Sequence, residues 1–578
     1  MNIAQWQWGR QARAIHMLGQ TLLVVLAGYA HSLSIAWPLG TVTGFIRESG
    51  FFVYGQPVWP LQLLSLVVLA AVLQASPPAG NTLATRPWLR GAWLGGAFAT
   101  AMLCGTFWWL YISMHQYGGL PALITVLAIF GLAVFLASYT ALATAFYVSI
   151  QAARPIPPAR AAIIFAALWL MAELARVQIF TGFPWGQAGY AHVDGWARPL
   201  AGWIGVHGLG WLAAFVAAWL AGLAMQAIST VALPAQRRWA LAKMVLIGAA
   251  TWGLAYGPLP DWQSRSVGVS VPAPGRMAVT LLQGNIPQDE KFEPGSGIAT
   301  ALDWYLAQLS AAKTPLVVAP ETAIPLLPNQ LPPGYLAALQ APFSRNASGT
   351  SSNRAVLFGM PLGSFEEGYA NSVVGFKPSL DAANSETYTY RKHHLVPFGE
   401  FIPPGFRWFT NLMNIPLGDF DRGAVGQPSF DWQGQRLAPN ICYEDLFGEE
   451  LAARFINPAL APTAFVNISN IGWFGNTIAI DQHLHISRMR TLEFDRPMIR
   501  ATNTGATVVI DHRSQVTHAL ERHTQGALVA DFEGRSSMTP YAWWASRLGV
   551  WPLWALGLLT ALWAAAGAGW LRRIPRSG

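Results

Sequence analysis

Residues 438–448 read APNICYEDLFG: an apolar run, a cysteine at position 442, and then the acids Glu444 and Asp445. A short apolar run that breaks off into polar residues is the pattern of a buried strand meeting a loop. Working outward, the pattern recurs at MAVTLLQGN (277–285), TPLVVAPE (314–321), RAVLFGMPL (354–362), NSVVGF (371–376), TAFVNIS (463–469) and TGATVVID (504–511). Helical patterns lie between several of these, among them ATALDWYLAQLSAA (299–312) and DQHLHISRMRTLEF (481–494), the latter with Leu484, Ser487, Met489 and Leu492 at broadly helical spacing. The alternation predicts a layered α/β domain whose sheet is buried by helices and whose reactive residues collect where strands end. Pro/Gly-rich stretches at 257–275 and 328–334 read as a linker and a surface loop.

The flanking sequence is of another kind. Hydrophobic residues make up 53% of the 578, charged residues only 11%, and there are 27 tryptophans, a balance that marks a membrane protein. Eight segments approach the roughly 20 apolar residues a spanning helix needs: near 18–36, 57–75, 92–113, 121–151, 161–177, 203–226, 241–257 and 547–571. Loops rich in Lys and Arg stay cytoplasmic. Arg10 and Arg13 precede the first segment; Arg86 and Arg90, Arg154 and Arg160, Arg237, Arg238 and Lys243, and Arg572, Arg573 and Arg576 follow the second, fourth, sixth and eighth. The alternate loops carry little more than Arg47 and Arg198. The expected architecture is a polytopic α-helical membrane domain at 1–257 with seven spans, an outward-facing α/β domain at 258–545, and a last span with a cytoplasmic basic tail at 546–578. Both termini are then cytoplasmic. The first span is no removable signal peptide, since no small-residue cleavage site follows it. The net charge of +8 sits largely at membrane edges, which accounts for it without nucleic acid.

Cys104 falls inside the third segment and reads as a packing residue, so no disulfide with Cys442 is expected. Cys442 is then a free thiol at a strand end. With an unperturbed pKa of about 8.5, a thiol needs a base to take its proton and a cation to hold the oxyanion formed on attack. Glu321 closes VVAPE, and Lys392 and Glu400 lie in YTYRKHHLVPFGEF (388–401), both strand-to-loop transitions. Each also has an ordinary reading, the acids and lysine as solvated strand ends and the cysteine as a buried apolar residue. Spacing alone leaves that choice open. His393, His394, His483 and His485 raise zinc, but two histidines at i, i+2 on a helix face apart and no HExxH or CxxC accompanies them, so neither metal nor cofactor is expected. GxSxG, GxGxxG and P-loop motifs are absent from the sequence.

The strings LLQGNIPQDEKF, APETAIP, YRKHHLVPFGEFIP, ICYEDLFG, NISNIGWFG and RMRTLEFDRPMIRATNTG resemble the nitrilase (carbon–nitrogen hydrolase) superfamily. With WWLYISMHQYGGLP and ELARVQIFTGFPWGQAGYAH from the apolar half, they resemble in particular its bacterial apolipoprotein N-acyltransferase branch. The resemblance implies an α-β-β-α sandwich facing the periplasm from the bacterial inner membrane. It implies Glu321 as general base, Lys392 as the oxyanion-holding lysine and Cys442 as nucleophile, with Glu400, Tyr443 and Glu444 in support and Phe292 and Trp473 near the acyl site. The chain departs from the family pattern at Ala319, Phe292, Ile471 and Gly472, where Trp, Trp and Asp-Ala are frequent. The implied reaction transfers an acyl chain from a phospholipid, through a cysteine thioester, to the α-amine of a diacylglyceryl-cysteine apolipoprotein, carried out by a monomer. Two other readings stand beside it: a membrane-tethered amidase with the same triad, and a transporter with an external domain. The transporter lacks buried intramembrane charges along a path, Glu173 and Arg176 reading as an interfacial pair. Finally, FIPPGFRWFTNLMNIPLGDFDR (401–422) concentrates apolar residues directly after Glu400, and reads as a lid at the bilayer with Trp408 and Phe409 at headgroup level.

Overall fold

The computed structural model describes residues 3–40, 52–75, 86–153, 156–229, 232–255, 257–262, 274–293, 295–344, 352–378, 385–403, 405–407 and 419–567. The chain divides into two units. One comprises Met1–Trp108, Val126–Leu259 and Val550–Gly578; the other comprises Trp109–Thr125 and Pro260–Gly549.

The first unit is helical. Each of the eight expected apolar segments overlaps a helix: Ile3–Ile35, Trp59–Gln74, Pro87–Thr106, Ala122–Ala153, Pro158–Gln178, Ala201–Ile228, Pro234–Ala255 and Trp551–Gly567; the expected 92–113 runs past Thr106, and 547–571 crosses the break between Pro540–Leu548 and Trp551–Gly567. Four stretches, Ile15–Ile35, Ala122–Ala153, Pro158–Thr181 and Arg198–Ile228, are long and apolar enough by themselves to cross a bilayer, with a fifth if Trp551–Gly567 counts together with the short helix before it. The rest are short or carry more charge: Trp59–Gln74 has 16 residues, about 24 Å at 1.5 Å per residue. Helices pack closely where small residues allow it. A Cβ on Gly95 would stand 2.0 Å from Thr144 Oγ1, so only glycine permits that approach. Arg90 is buried and donates to the Val72 and Leu73 carbonyls at 2.5 and 3.3 Å, capping the end of the preceding helix. Glu173 and Arg176 are also buried, with Arg176 Nη2 3.8 Å from Glu173 Oε1. Glu173 accepts the Ala188 N–H at 2.9 Å and Arg176 donates to the Trp185 carbonyl at 2.7 Å, so backbone groups of the following loop draw both inward. Outward, the unit exposes Leu18, Leu127, Leu142, Val245 and Leu246, apolar surface that needs a lipid solvent.

Among the described residues of the second unit, twelve strands form two six-stranded sheets: β1 Arg276–Gln283, β2 Leu316–Val318, β3 Ala355–Ser364, β4 Gly368–Pro378, β5 Ser385–Arg391, β6 Phe430–Trp432, β7 Gln435–Ile441, β8 Ala464–Ser469, β9 Met498–Thr502, β10 Val508–Ile510, β11 Val516–Ala519 and β12 Gly526–Glu533. One sheet runs β12-β1-β2-β3-β4-β5 and the other β11-β10-β9-β8-β7-β6. The pairs β1-β2, β2-β3, β7-β8 and β8-β9 are parallel and the remaining neighbours antiparallel. Alternation along the strands sorts side chains into layers. Leu316, Val318, Leu357, Ile441, Val466 and Ile499 meet in a core between the sheets, while Val317, Val356 and Phe358 face outward onto helix Gly297–Ala311. Burying each such side chain contributes about 1.5–3 kcal/mol. Helix Ala479–Phe494 covers the other outer face, where Phe494 meets Phe465 of β8 at 5.4 Å between ring centroids. The result is an α-β-β-α sandwich. Of the expected stripe on that helix, Ser487, Met489 and Leu492 are buried and Leu484 is half-buried, but burial runs round the helix and takes in His483, Arg488 and Glu493 as well.

Candidate active site

Glu321 stands just past β2, Lys392 just past β5 and Cys442 just past β7, so three strand ends from both sheets converge. Gly359 of β3 shapes the first. A Cβ there would lie 2.5 Å from Thr322 N and 2.6 Å from Glu321 Cα, so the glutamate turn packs on a strand that has no side chain at that point. Thr322 and Cys442 both take left-handed backbone, with φ of 48° and 51°. Such a conformation costs a non-glycine residue roughly 1–2 kcal/mol and persists where the surroundings over-determine it.

Glu444 does much of that work at Cys442. Its carboxylate accepts Ile441 N–H at 2.6 Å, His393 N–H at 2.7 Å and the Tyr390 hydroxyl at 2.8 Å, tying the cysteine turn to the residue after Lys392. The Cys442 carbonyl accepts from His483 Nε2 at 3.2 Å and Asn467 Nδ2 at 3.4 Å. Arg500 Nη2 lies 2.7 Å from His483 Nδ1, and because a guanidinium only donates, Nδ1 is the acceptor and Nε2 carries the proton. Nε2–H then points to both Cys442 O and Asp445 Oδ1, the latter at 2.9 Å. Asp445 also accepts from Ser487 Oγ at 2.5 Å and Arg500 Nη1 at 3.4 Å. Tyr443 is buried, with its ring 5.3 Å from Phe447 and 5.7 Å from His394.

Around the carboxylates the bonds are equally dense. Lys392 Nζ reaches Glu400 Oε1 at 2.9 Å and Glu321 Oε1 at 3.3 Å. Asn371 Nδ2 donates to the same two carboxylates at 2.8 and 2.7 Å. Glu321 Oε2 accepts Asn470 N–H at 2.8 Å, Glu400 Oε2 accepts Val396 N–H at 2.9 Å, and Lys291 Nζ donates to the Glu321 carbonyl at 3.1 Å. Burial would push the Glu321 carboxyl up, but Lys392, Asn371, Lys291 and the Asn470 N–H together hold it below its ordinary value. Burial likewise opposes the Lys392 charge, and Glu400 and Glu321 outweigh it, keeping the ammonium well above the usual lysine range. The Cys442 thiol is pushed up to about 12 by burial and then by the Glu321 charge, against the pull of Lys392. At neutral pH the site therefore holds a neutral thiol facing an ionised carboxylate, a donor and acceptor for one proton beside a permanent cation.

The other expected site residues fall as follows. Phe292 and Trp473 are half-buried, and Trp473 meets the Tyr117 ring at 5.8 Å. Trp408 and Phe409 lie outside the described residues. His394 binds Glu450 at 2.9 Å and His393 the Gly423 carbonyl at 2.7 Å, and among the described residues no three His, Cys, Asp or Glu side chains are grouped to hold a metal. Asn371, Lys291, Asn470 and the Asp445–His483–Arg500 network escaped the sequence reading. The signal available was a polar residue inside or beside an apolar strand, as in NSVVGF and NISN. A further support comes from far off in sequence: Trp109 donates to Gln482 Oε1 at 3.0 Å and its ring lies 4.2 Å from Phe474, bracing the loop after Asn470.

Comparison with known proteins bears on both halves. Residues 49–219 match the family model described as apolipoprotein N-acyltransferase N-terminal domain, and residues 278–542 match that of carbon-nitrogen hydrolase. A protein of Verminephrobacter eiseniae named apolipoprotein N-acyltransferase is 52% identical over 545 residues, covering 91% of this chain and 92% of its own length. Proteins of the same name from Ralstonia nicotianae and Bordetella bronchiseptica are each 40% identical, over 92% and 95% of this chain and 94% and 97% of their own. With relatives that span nearly the whole chain, and a sandwich that brings Glu321, Lys392 and Cys442 to neighbouring strand ends, the chain belongs to the apolipoprotein N-acyltransferase family.

Proposed function

We propose that the chain moves an acyl group from a phospholipid to the N-terminal α-amine of a diacylglyceryl-cysteine lipoprotein, by way of a thioester on Cys442. The observation that carries this reading is the meeting of a neutral thiol, an ionised Glu321 and a cationic Lys392 in a chain whose other half exposes apolar helices. In the first half-reaction Cys442 Sγ attacks the ester carbonyl as Glu321 takes the thiol proton. Lys392 holds the negative charge that develops on the carbonyl oxygen. The C–O bond breaks, the lysophospholipid oxygen recovers the proton from Glu321, and a thioester remains. In the second, the lipoprotein amine attacks that thioester, Glu321 removes a proton from the nitrogen, and the sulfur leaves and is reprotonated. Glu400 and Asn371 keep Lys392 and Glu321 in register; Glu444 and Tyr443 hold the cysteine turn. Water has to be kept from the thioester.

On this reading the α/β domain faces the periplasm, both termini are cytoplasmic and the helices cross the inner membrane, a topology the basic-residue pattern supports. The test is direct. Protein incubated with phospholipid vesicles alone gains one acyl mass on the peptide containing Cys442, and adding a diacylated lipopeptide discharges it into an N-acylated product. Cys442→Ala abolishes both. Ammonia release from small amides with no lipid adduct would make the chain a membrane-tethered amidase instead.

A further inference from the structure

We propose that Lys291 is the second cation of the acyl-transfer site, a positioning residue whose ammonium balances the carboxylate that Lys392 leaves uncompensated. The proposal rests on the reading of Cys442 as nucleophile. Lys291 lies in the loop after β1, with its side chain 1% exposed and its Nζ donating to the Glu321 carbonyl at 3.1 Å. Fully buried lysines are rare unless paired. Here two buried carboxylates, Glu321 and Glu400, share the single ammonium of Lys392 at 3.3 and 2.9 Å, which leaves the cluster one negative charge in excess. Below about pH 7 Lys291 carries its charge, which acts on Glu321 and on Cys442 and brings the total to zero. Asp289, Glu290 and Glu293, the acids of its own loop, are exposed and screened by solvent. From the facing elements the groups that meet it are Glu321 past β2 and Cys442 past β7, with Lys392 and Glu400 behind them.

The balance matters when the thiol ionises. Passing the Cys442 proton to Glu321 moves negative charge onto sulfur and then onto the carbonyl oxygen without changing the total. An uncompensated excess would oppose that charge throughout. Holding the ammonium there has a stability cost. Burial pulls Lys291 from its ordinary value of about 10.5 down to about 7, against the pull of Glu321 and Cys442. Because the folded value lies below the unfolded one, the contribution of this group to stability falls as pH drops from about 10 to 7.

These features define an experiment that needs no lipid. The full chain in detergent, as wild type, Lys291→Met and Lys291→Arg, is treated with iodoacetamide from pH 5 to 9 and Cys442 alkylation is followed on its peptide. At pH 6, Lys291→Met alkylates about 10-fold more slowly, the effect of one unit on the thiol. Lys291→Arg recovers most of that rate, and the gap between wild type and Lys291→Met closes above about pH 8, where wild-type Lys291 has lost its proton. The thermal midpoint of Lys291→Met at pH 6 is no lower than that of wild type, because an ill-solvated charge has been removed. Equal alkylation of wild type and Lys291→Met at pH 6 overturns the proposal. So does a deficit that comes with a lowered midpoint and no rescue by Arg, which would make Lys291 a packing residue. Wild type that takes no acyl group from phospholipid, with the alkylation pattern intact, would instead sink the lipid reading alone.

Discussion

A thiol held near 12 leaves about one molecule in 10⁵ as thiolate at neutral pH, so Cys442 does not wait in its reactive form. Its proton has to leave in the same event as the attack, which makes Glu321 and Lys392 separable in their effects. Glu321→Gln keeps shape and loses the acceptor, so single-turnover acylation of Cys442 nearly stops. Lys392→Met keeps the stem and loses the charge, and acylation slows by about 100-fold or more. The two differ in stability as well. Lys392→Met strands two carboxylates that Asn371 alone then joins, a loss of about 3–5 kcal/mol for a broken buried pair. Lys392 is held above its unfolded value, so its contribution is complete below about pH 10.5 and fades as pH rises beyond that. Glu321 is held below its own, so its contribution is complete above about pH 4.5 and fades as pH falls through the folded value. Denaturant titration should therefore give the same Lys392→Met deficit from about pH 8 to 9.5, above the range in which Lys291 titrates. A deficit that varies by more than about 1 kcal/mol across that window would show that other groups set the charge state.

At the scale of strands and turns, the site depends on backbone that other elements hold in place. Gly359 is the sharpest case, because the atoms a Cβ would strike are main-chain atoms of Pro320, Glu321 and Thr322, which cannot rotate away. Gly359→Ala must shift the glutamate turn, and a displacement near 1 Å costs about 100-fold in a positioned reaction. The expected result is strongly slowed acylation with a cooperative thermal transition retained; full activity would show that the turn adapts. Glu321, Lys392 and Cys442 were legible in the sequence because each sits where an apolar run breaks, and the surrounding strings carry a family resemblance. Asn371 and Arg500 were not, since a single polar residue inside an apolar strand reads as an exposed position until the layer covering it is known. The same holds for helix Ala479–Phe494, whose buried Ser487, Arg488 and Glu493 contradict the rule that a polar helix face meets water. Ser487 donates to Asp445, Arg488 donates to the Ser514 carbonyl and Glu493 pairs with Arg490, and the first two partners lie 42 and 26 residues away, which leaves no periodic trace.

For the molecule as a whole, apolar composition made all eight helices legible, but not which of them cross. Helix Pro234–Ala255 is the deciding case. Its 22 residues reach about 33 Å, enough for the hydrocarbon core, yet it carries Arg237, Arg238 and Lys243 and falls outside the helices that are apolar enough by themselves. All three cations lie in its first half, where long side chains can reach the headgroups. The rest of its surface, including Val245, Leu246 and Trp252, is exposed and apolar, which a helix surrounded by lipid requires. If it crosses, Arg238 near its start and the α/β unit after it lie on opposite sides, and the basic-residue pattern predicts Arg238 on the cytoplasmic side. Single cysteines introduced as Arg238→Cys and, in the exposed turn between β6 and β7, Gln433→Cys test this in a Cys104→Ala, Cys442→Ala background. A membrane-impermeant maleimide applied to intact spheroplasts should label Gln433→Cys at once and Arg238→Cys only after lysis. Labelling of both before lysis would mean that Pro234–Ala255 lies along the surface. The number of crossings before the α/β domain would then be even, which would put that domain and the amino terminus on the same side and overturn the proposed topology.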